Sequence, residues 1–398
     1  MLKYQTNMND KTKPKLKVLW LVYGEHPIHT GISVELGKKC DLNLVMRKRH
    51  EKDKFPRNNY NQIYLEVIEK SWNLLFFPNV IRNLFAKTKT SLPPIIYFKG
   101  LTKELNKIKP DVIISNICYM PASWQAAKYC KKRKIPFIIQ TETQRMPPYI
   151  IGKIFAKIIL KTGYVFNRAN LILPWTKDGV NFMKQNLEPK NIPKIKLLTP
   201  GINEREYHNT THKTKSKYFR IIMVARMIPY KKYSDLLLAI SILKKKGYKN
   251  IRAKLRGDGP FKPEIEKQII ALGLQKEIEL IPRQESMAPQ YLNADVLILP
   301  SFNEAVGMVV PEAMACGTTA IVSDTAGANT YIENGKNGFI FKTGDYNELA
   351  NKIEFFLKNN KRLEQFKKNA EKHIMNNYTN KKIAEKFYTL IKEAHSQK

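Results

Sequence analysis

Acidic residues are scarce in this chain. Its 34 Asp and Glu face 69 Lys and Arg, a formal net charge of +35. Residues 1–200 hold 36 basic and 13 acidic residues, net +23, and residues 201–398 hold 33 and 21, net +12. The excess therefore belongs mainly to one half. Such a surface attracts polyanions, anionic lipid or phosphorylated substrates. Cysteine is also scarce. Cys40, Cys118, Cys130 and Cys316 form no CxxC pair, which argues against a disulfide framework or a thiolate zinc site and fits reduced thiols. No GxGxxG and no Asp-x-Asp is present, and we expect no essential metal or cofactor. His26 and His29 lack partners at ligand spacing and read as loop polar groups. No apolar run approaches the roughly 18 residues of a membrane span. The run Leu16–Val22 follows a basic stretch and is too short for a secretory signal. The expectation is a cytoplasmic protein, soluble or peripheral on the inner face of the cell membrane. Helix-turn-helix, zinc-finger and RNP patterns are missing, so the charge alone implies only salt-sensitive, non-specific nucleic-acid affinity.

A chain of 398 residues is too long for one ordinary core, which predicts two domains. The most informative stretch is Pro300–Asp324, PSFNEAVGMVVPEAMACGTTAIVSD. The preceding run Ala294–Leu299, ADVLIL, reads as a buried parallel strand. Pro311–Cys316 reads as the first turns of a helix, with Pro where its missing N–H costs nothing and Gly317 as a C-cap. Ala320–Val322 begins another strand. Glu304 thus stands at a strand end and Glu312 on a first helical turn. Gly307 between them lets a ligand approach the backbone, and free N–H groups at a helix start suit a phosphate. A first-turn carboxylate can accept bonds from a ribose diol. Taken singly, Glu304 is equally a loop acid and Glu312 a favourable charge on the helix dipole.

The two acids, seven residues apart, resemble the E-x7-E signature of the retaining family-4 glycosyltransferases. That resemblance implies the GT-B fold, an α/β architecture of two Rossmann-like doubly wound parallel-sheet domains facing a cleft. It covers roughly residues 17–395 and is strong over 219–341. It implies that Gly307, Met308 and Val309 lie near the donor phosphates, Glu312 on the ribose and Glu304 near the sugar. Arg226 and Lys231 at the end of the run FRIIMVA resemble the family's R-x4-K element, assigned to the leaving diphosphate; a guanidinium fork and an ammonium there suit such an anion. Gly257 in RGDGP resembles a G-x-G-P turn, and Arg283 matches a loop that contacts the base through backbone groups. Gly31 is the best match to a phosphate-facing glycine after the first strand, in GEHPIHTGIS, which reads as a loop. The family often has His after the strand PFIIQ, where Glu142 or Thr143 stands here as the sugar-side candidate.

Along the chain, residues 1–16 read as a disordered basic tail and 17–200 as an acceptor-side domain. Residues 201–375 read as the donor-binding domain, and a last helix, about 376–398, returns to the first by resemblance. Strands are expected at Lys17–Tyr23, Leu42–Met46, Asp111–Ser115, Pro136–Gln140, Ala169–Pro174, Ile195–Leu198, Phe219–Ala225 and Ile278–Ile281. Residues 62–85 are read as core helix in preference to a membrane-dipping loop. In Ile150–Phe166 the apolar positions recur at helical spacing, and Lys153, Lys157 and Lys161 form a second row. That row is either the wet edge of a core helix or a basic face for an anionic membrane.

The expected function is transfer of a hexose-type sugar, with retention, from a nucleoside-diphosphate sugar to a glycan or lipid-linked acceptor in cell-envelope or surface glycan synthesis. Arg226, Lys231 and the helix start would stabilise charge on the leaving diphosphate, and Glu304 would face the developing positive charge on the sugar. The alternatives are a nucleotide-sugar epimerase of the same fold and, at the far end, a non-specific nucleic-acid binder.

Overall fold

The computed structural model describes residues 14–22, 27–47, 60–70, 95–116, 121–142, 163–210, 216–282, 284–302 and 304–397. The strands of the first half are β1 Lys17–Leu21, β2 Asp41–Arg47, β3 Asn61–Leu65, β4 Val67–Lys70, β5 Ile95–Phe98, β6 Val112–Ser115, β7 Phe137–Thr141 and β8 Leu171–Pro174. Those of the second half are β9 Phe219–Val224, β10 Ile251–Arg256, β11 Ile278–Ile281, β12 Val296–Leu299, β13 Thr319–Ser323 and β14 Gly338–Phe341. Their central members are continuous apolar runs because helices cover both faces; β6, β7, β8, β12 and β13 are buried at every position.

The first sheet runs β3-β2-β1-β6-β7-β8 and the second β11-β10-β9-β12-β13-β14. Every pairing within both sheets is parallel. Each is the doubly wound order of a dinucleotide-type domain, reversing direction between its first and fourth strands. At that reversal the crossover helices leave on opposite faces, and a crevice opens beyond the strands' carboxyl ends. β4 and β5 form a separate antiparallel ribbon.

Two helices end the chain, Asn360–Asn377 and Asn380–Ser396. The first packs Ala370 and Ile374 on the second sheet's core, whereas the last buries Ile383, Phe387 and Ile391 in the core of the first. The crossing is stitched at Ile202, whose N–H donates to Tyr378 O at 2.8 Å and whose carbonyl accepts from Asn380 N at 2.9 Å. Lys177 N–H donates to Thr330 Oγ1 at 3.1 Å and the Tyr331 hydroxyl to Pro200 O at 3.0 Å. These bonds tie the two halves together.

The structure corrects several expectations. Residues 61–65 and 67–70 are strands rather than the start of a core helix, since β3 is a half-exposed edge with mixed polarity. Gly31 and His29 lie inside the helix Pro27–Gly37 rather than in a loop. Ile195 makes only an isolated bridge to Ile172. The stretch reads as a strand because its N–H groups at Lys196 and Leu198 still bond to β8, but it pairs on one side alone.

Candidate functional site

The carboxyl ends of β9 and β12 meet at the reversal of the second sheet, and the chemically distinctive side chains gather there. After β9 the chain turns through Arg226 into the short 3-10 turn Pro229–Lys231. After β12 it passes Ser301 and Phe302 to Glu304. The Lys231 ammonium and the Glu304 carboxylate form an ion pair. Lys231 is only 8% exposed, so both charges are drawn largely out of water, where Coulomb attraction is less screened. The Glu304 backbone is fixed from behind: it bridges Ala326, and its carbonyl accepts from Gly327 N at 2.9 Å. Arg226, five residues before Lys231, is exposed, and among the described residues no carboxylate pairs with it. The crevice therefore presents an open guanidinium beside a held ammonium.

Gly307 has φ +68°, a left-handed conformation that suits glycine. A Cβ there would stand 2.8 Å from Ala328 Cβ and 3.2 Å from Glu304 Cγ. The turn thus lets the helix Val309–Ala315 start close behind Glu304. That helix begins two residues earlier than the sequence suggests, at Met308 as N-cap, with no side chain capping its first turn. Glu312 points from this turn toward Tyr291, whose hydroxyl donates to Oε2 at 3.4 Å. Burial pushes the Glu312 carboxyl up to about 8; the Glu206 carboxylate adds to the rise, and the Tyr291 bond opposes it. Glu206 accepts from Ser286 Oγ at 2.9 Å, and Tyr207 lies against Tyr291 with ring centroids 6.1 Å apart. Glu206, Tyr207, Ser286 and Tyr291 escaped the sequence reading. Glu206 and Tyr207 lie some 80 residues from Ser286 and Tyr291, and no spacing signal joins the two pairs.

The remaining candidates divide. Gly257 makes a close backbone approach: a Cβ would meet Ala225 O at 2.0 Å and Tyr233 Oη at 2.7 Å. It fixes the exit of β9 from beneath, since the Tyr233 hydroxyl donates to Ala225 O at 2.7 Å. Gly31 faces Asn380 at the start of the last helix, with the Asn380 amide nitrogen 2.1 Å from a built Cβ. It serves the packing of the crossing helix, and residues 23–26 just before its helix lie outside the described residues. Glu142 sits just past β7, exposed on one side, and the bulk of surrounding chain pushes its carboxyl up. Arg283, Thr143, Lys153, Lys157 and Lys161 lie outside the described residues, as does His26. His29 is buried between Trp20 and Trp175, with Nε2 2.7 Å from the Asn116 amide nitrogen. Among the described residues no group of three or more His, Cys, Asp or Glu could hold a metal, and no helix is long and apolar enough to cross a membrane.

Two doubly wound domains with this charged crevice have the GT-B architecture. Residues 204–373, most of the second domain, match the family model for glycosyl transferases group 1. The capsular polysaccharide biosynthesis glycosyltransferase CapM of Staphylococcus aureus is 25% identical over 334 residues, covering 79% of this chain and 84% of that protein. The alpha-monoglucosyldiacylglycerol synthase of Acholeplasma laidlawii is 24% identical, covering 70% and 74%. Among solved structures, Anabaena HepE in complex with UDP superposes with a TM-score of 0.69 at 16% identity, covering 95% of this chain and all of that one. The first two of these are named for capsular polysaccharide and glycolipid synthesis.

Proposed function

We propose that the chain transfers a hexose-type sugar, with retention of anomeric configuration, from a nucleoside-diphosphate sugar to a glycan or lipid-linked acceptor of the cell envelope. The observation that carries this reading is the largely buried Lys231–Glu304 pair beside the open Arg226 guanidinium at the reversal of the second sheet. An arriving diphosphate would draw on Arg226 and share the Lys231 ammonium, so that both stabilise the charge that grows as the phosphate leaves. Glu304, freed in part from Lys231, would face the oxocarbenium-like sugar. Glu312 would hold the ribose diol, with the turn around Gly307, Met308 and Val309 beside the phosphates. The departing phosphate would take the acceptor's proton. In this reading no metal takes part, and chelators leave turnover unchanged. HepE, whose structure is a UDP complex, makes UDP the first nucleotide to try.

Tyr230 and Phe302 adjoin this pair on the same two loops. Each is 45% exposed, and Phe302 N–H donates to Tyr230 O at 2.7 Å. We assign them to the acceptor side, where an aromatic face can cover the apolar face of a sugar ring. The test is nucleoside diphosphate release from a donor panel, with and without crude cell-envelope acceptor. Release that depends on the acceptor supports transfer. Conversion of the donor sugar without any acceptor would establish an epimerase instead.

A further inference from the structure

A second charged feature lies at the other end of the first domain, where β1, β2 and β6 begin rather than end. A concavity of about 830 Å³ opens there between the amino-terminal edge of the sheet and the last helix. Five lysines line it, Lys15, Lys17, Lys39, Lys109 and Lys392, against one acid, Asp111. Asp111 is already used: its Oδ2 accepts the Lys17 N–H at 2.9 Å, and its own N–H donates to Lys17 O at 2.8 Å. Lys39 has a distant partner, Glu385 at 4.0 Å. Lys15 donates to Lys38 O at 3.2 Å, and Lys392 lies 5.2 Å from the Tyr388 ring centroid. Among the described residues no carboxylate lies within ion-pair distance of Lys15, Lys17, Lys109 or Lys392. His395, also in the wall, has a buried Nδ1 with no hydrogen-bond partner.

A simpler reading assigns these lysines to helix ends. Lys39 follows Pro27–Gly37 and Lys109 follows Leu101–Ile108, and a helix carboxyl end carries roughly −0.5 charge. Two such ends offset about one unit of the four in excess. A cationic concavity remains, and concave walls focus its field. The lysines come from four separate segments, so helix capping does not account for their convergence.

The geometry points to an anion site for a multiply charged phosphate, of the size of a di- or triphosphate or a phosphorylated headgroup. Five ammonium groups with no arginine fork favour dispersed phosphate charge over one planar carboxylate. The site shares no residue with the crevice at β9 and β12, so occupancy there leaves the donor groups free.

The experiment uses the full chain carrying Arg226→Ala and Lys231→Ala, so that the crevice's phosphate groups do not report. Inorganic tripolyphosphate is titrated calorimetrically into this protein and into two triple variants, Lys17→Glu/Lys109→Glu/Lys392→Glu and the charge-matched control Lys245→Glu/Lys249→Glu/Lys276→Glu. The pocket variant is expected to lose at least about tenfold in affinity relative to the control, the equivalent of one charge-assisted hydrogen bond. In a parallel arm the same proteins are floated with phosphatidic acid vesicles, whose phosphomonoester headgroup carries more than one charge. A pocket-specific loss with tripolyphosphate assigns a free phosphate anion, and one confined to vesicles assigns a lipid headgroup. Equal behaviour of the two triple variants in both arms overturns the site. If the pocket triple variant melts early, Lys109→Gln and Lys392→Gln, which stand in exposed turns and a helix end, repeat the comparison singly.

Discussion

Glu312 gives the most quantitative prediction. Its carboxyl is pushed up to about 8 by burial and by Glu206. Near pH 7 only about a tenth of such a group is ionised. If the ribose diol donates to the carboxylate, only that fraction binds fully, and the apparent affinity falls by the same fraction. Raising the pH from about 7 to about 9 should therefore tighten nucleoside diphosphate binding by roughly tenfold. Glu312→Gln should flatten the profile. At the higher pH it should bind weaker by roughly 1.5–3 kcal/mol, the worth of a hydrogen bond to a charged group. Glu206→Gln, which removes the neighbouring carboxylate, should move the inflection toward lower pH. Stability runs the other way. A carboxyl raised above its unfolded value holds its proton longer in the folded state, so its contribution is complete below that unfolded value and is lost as pH rises toward about 8. Calorimetric titration of UDP or the preferred nucleotide across this range is the assay. A flat wild-type profile, or an unchanged slope in Glu312→Gln, refutes the assignment.

Other outcomes follow from the same geometry. Lys231→Met should lower turnover by roughly 10²–10³-fold, with a smaller effect on nucleotide affinity, because its partner charge grows only as the bond breaks. Single-turnover rates against equilibrium titration separate the two. Gly307→Ala forces a left-handed alanine whose Cβ meets Ala328; it should cost about 1–3 kcal/mol by denaturant titration and, by displacing Glu304, more in turnover. Gly257→Ala puts a methyl group 2.0 Å from Ala225 O; it should destabilise by at least about 1–3 kcal/mol in the same titration. Tyr230→Ala and Phe302→Ala should raise the acceptor KM while leaving nucleotide affinity unchanged.

The central strands of the second domain, β9, β12 and β13, were legible because they are buried along nearly their whole length, so an apolar run marks each one. Ile278–Ile281 falls where the sequence puts it, and β9 ends one residue early. The edge strand β3 was not legible, because half-exposed positions mix polar and apolar residues much as a helix edge does. Glu304, Lys231 and Glu312 stand out as charges where a strand ends or a helix begins. Their partners do not. Tyr291 and Glu206 meet Glu312 only through folding, and a tyrosine or a glutamate alone carries no spacing signal. Gly31 and Gly257 carry a further role that no spacing shows: in the fold each admits a close neighbour, Asn380 or Ala225.

The central claim is that the crevice at β9 and β12 binds a nucleoside-diphosphate sugar through Glu312, while Lys231 acts chiefly on the charge that grows as the sugar–phosphate bond breaks. The most direct measurement is the melting temperature of the wild type, Glu312→Ala and Lys231→Ala with a panel of UDP-, GDP-, ADP- and CMP-sugars. A ligand that binds only the folded state must raise it when present well above its dissociation constant. The account predicts that one nucleotide stabilises the wild type, that Glu312→Ala loses the shift, and that Lys231→Ala keeps most of it. No shift with any donor, or an equal shift in all three proteins, contradicts it.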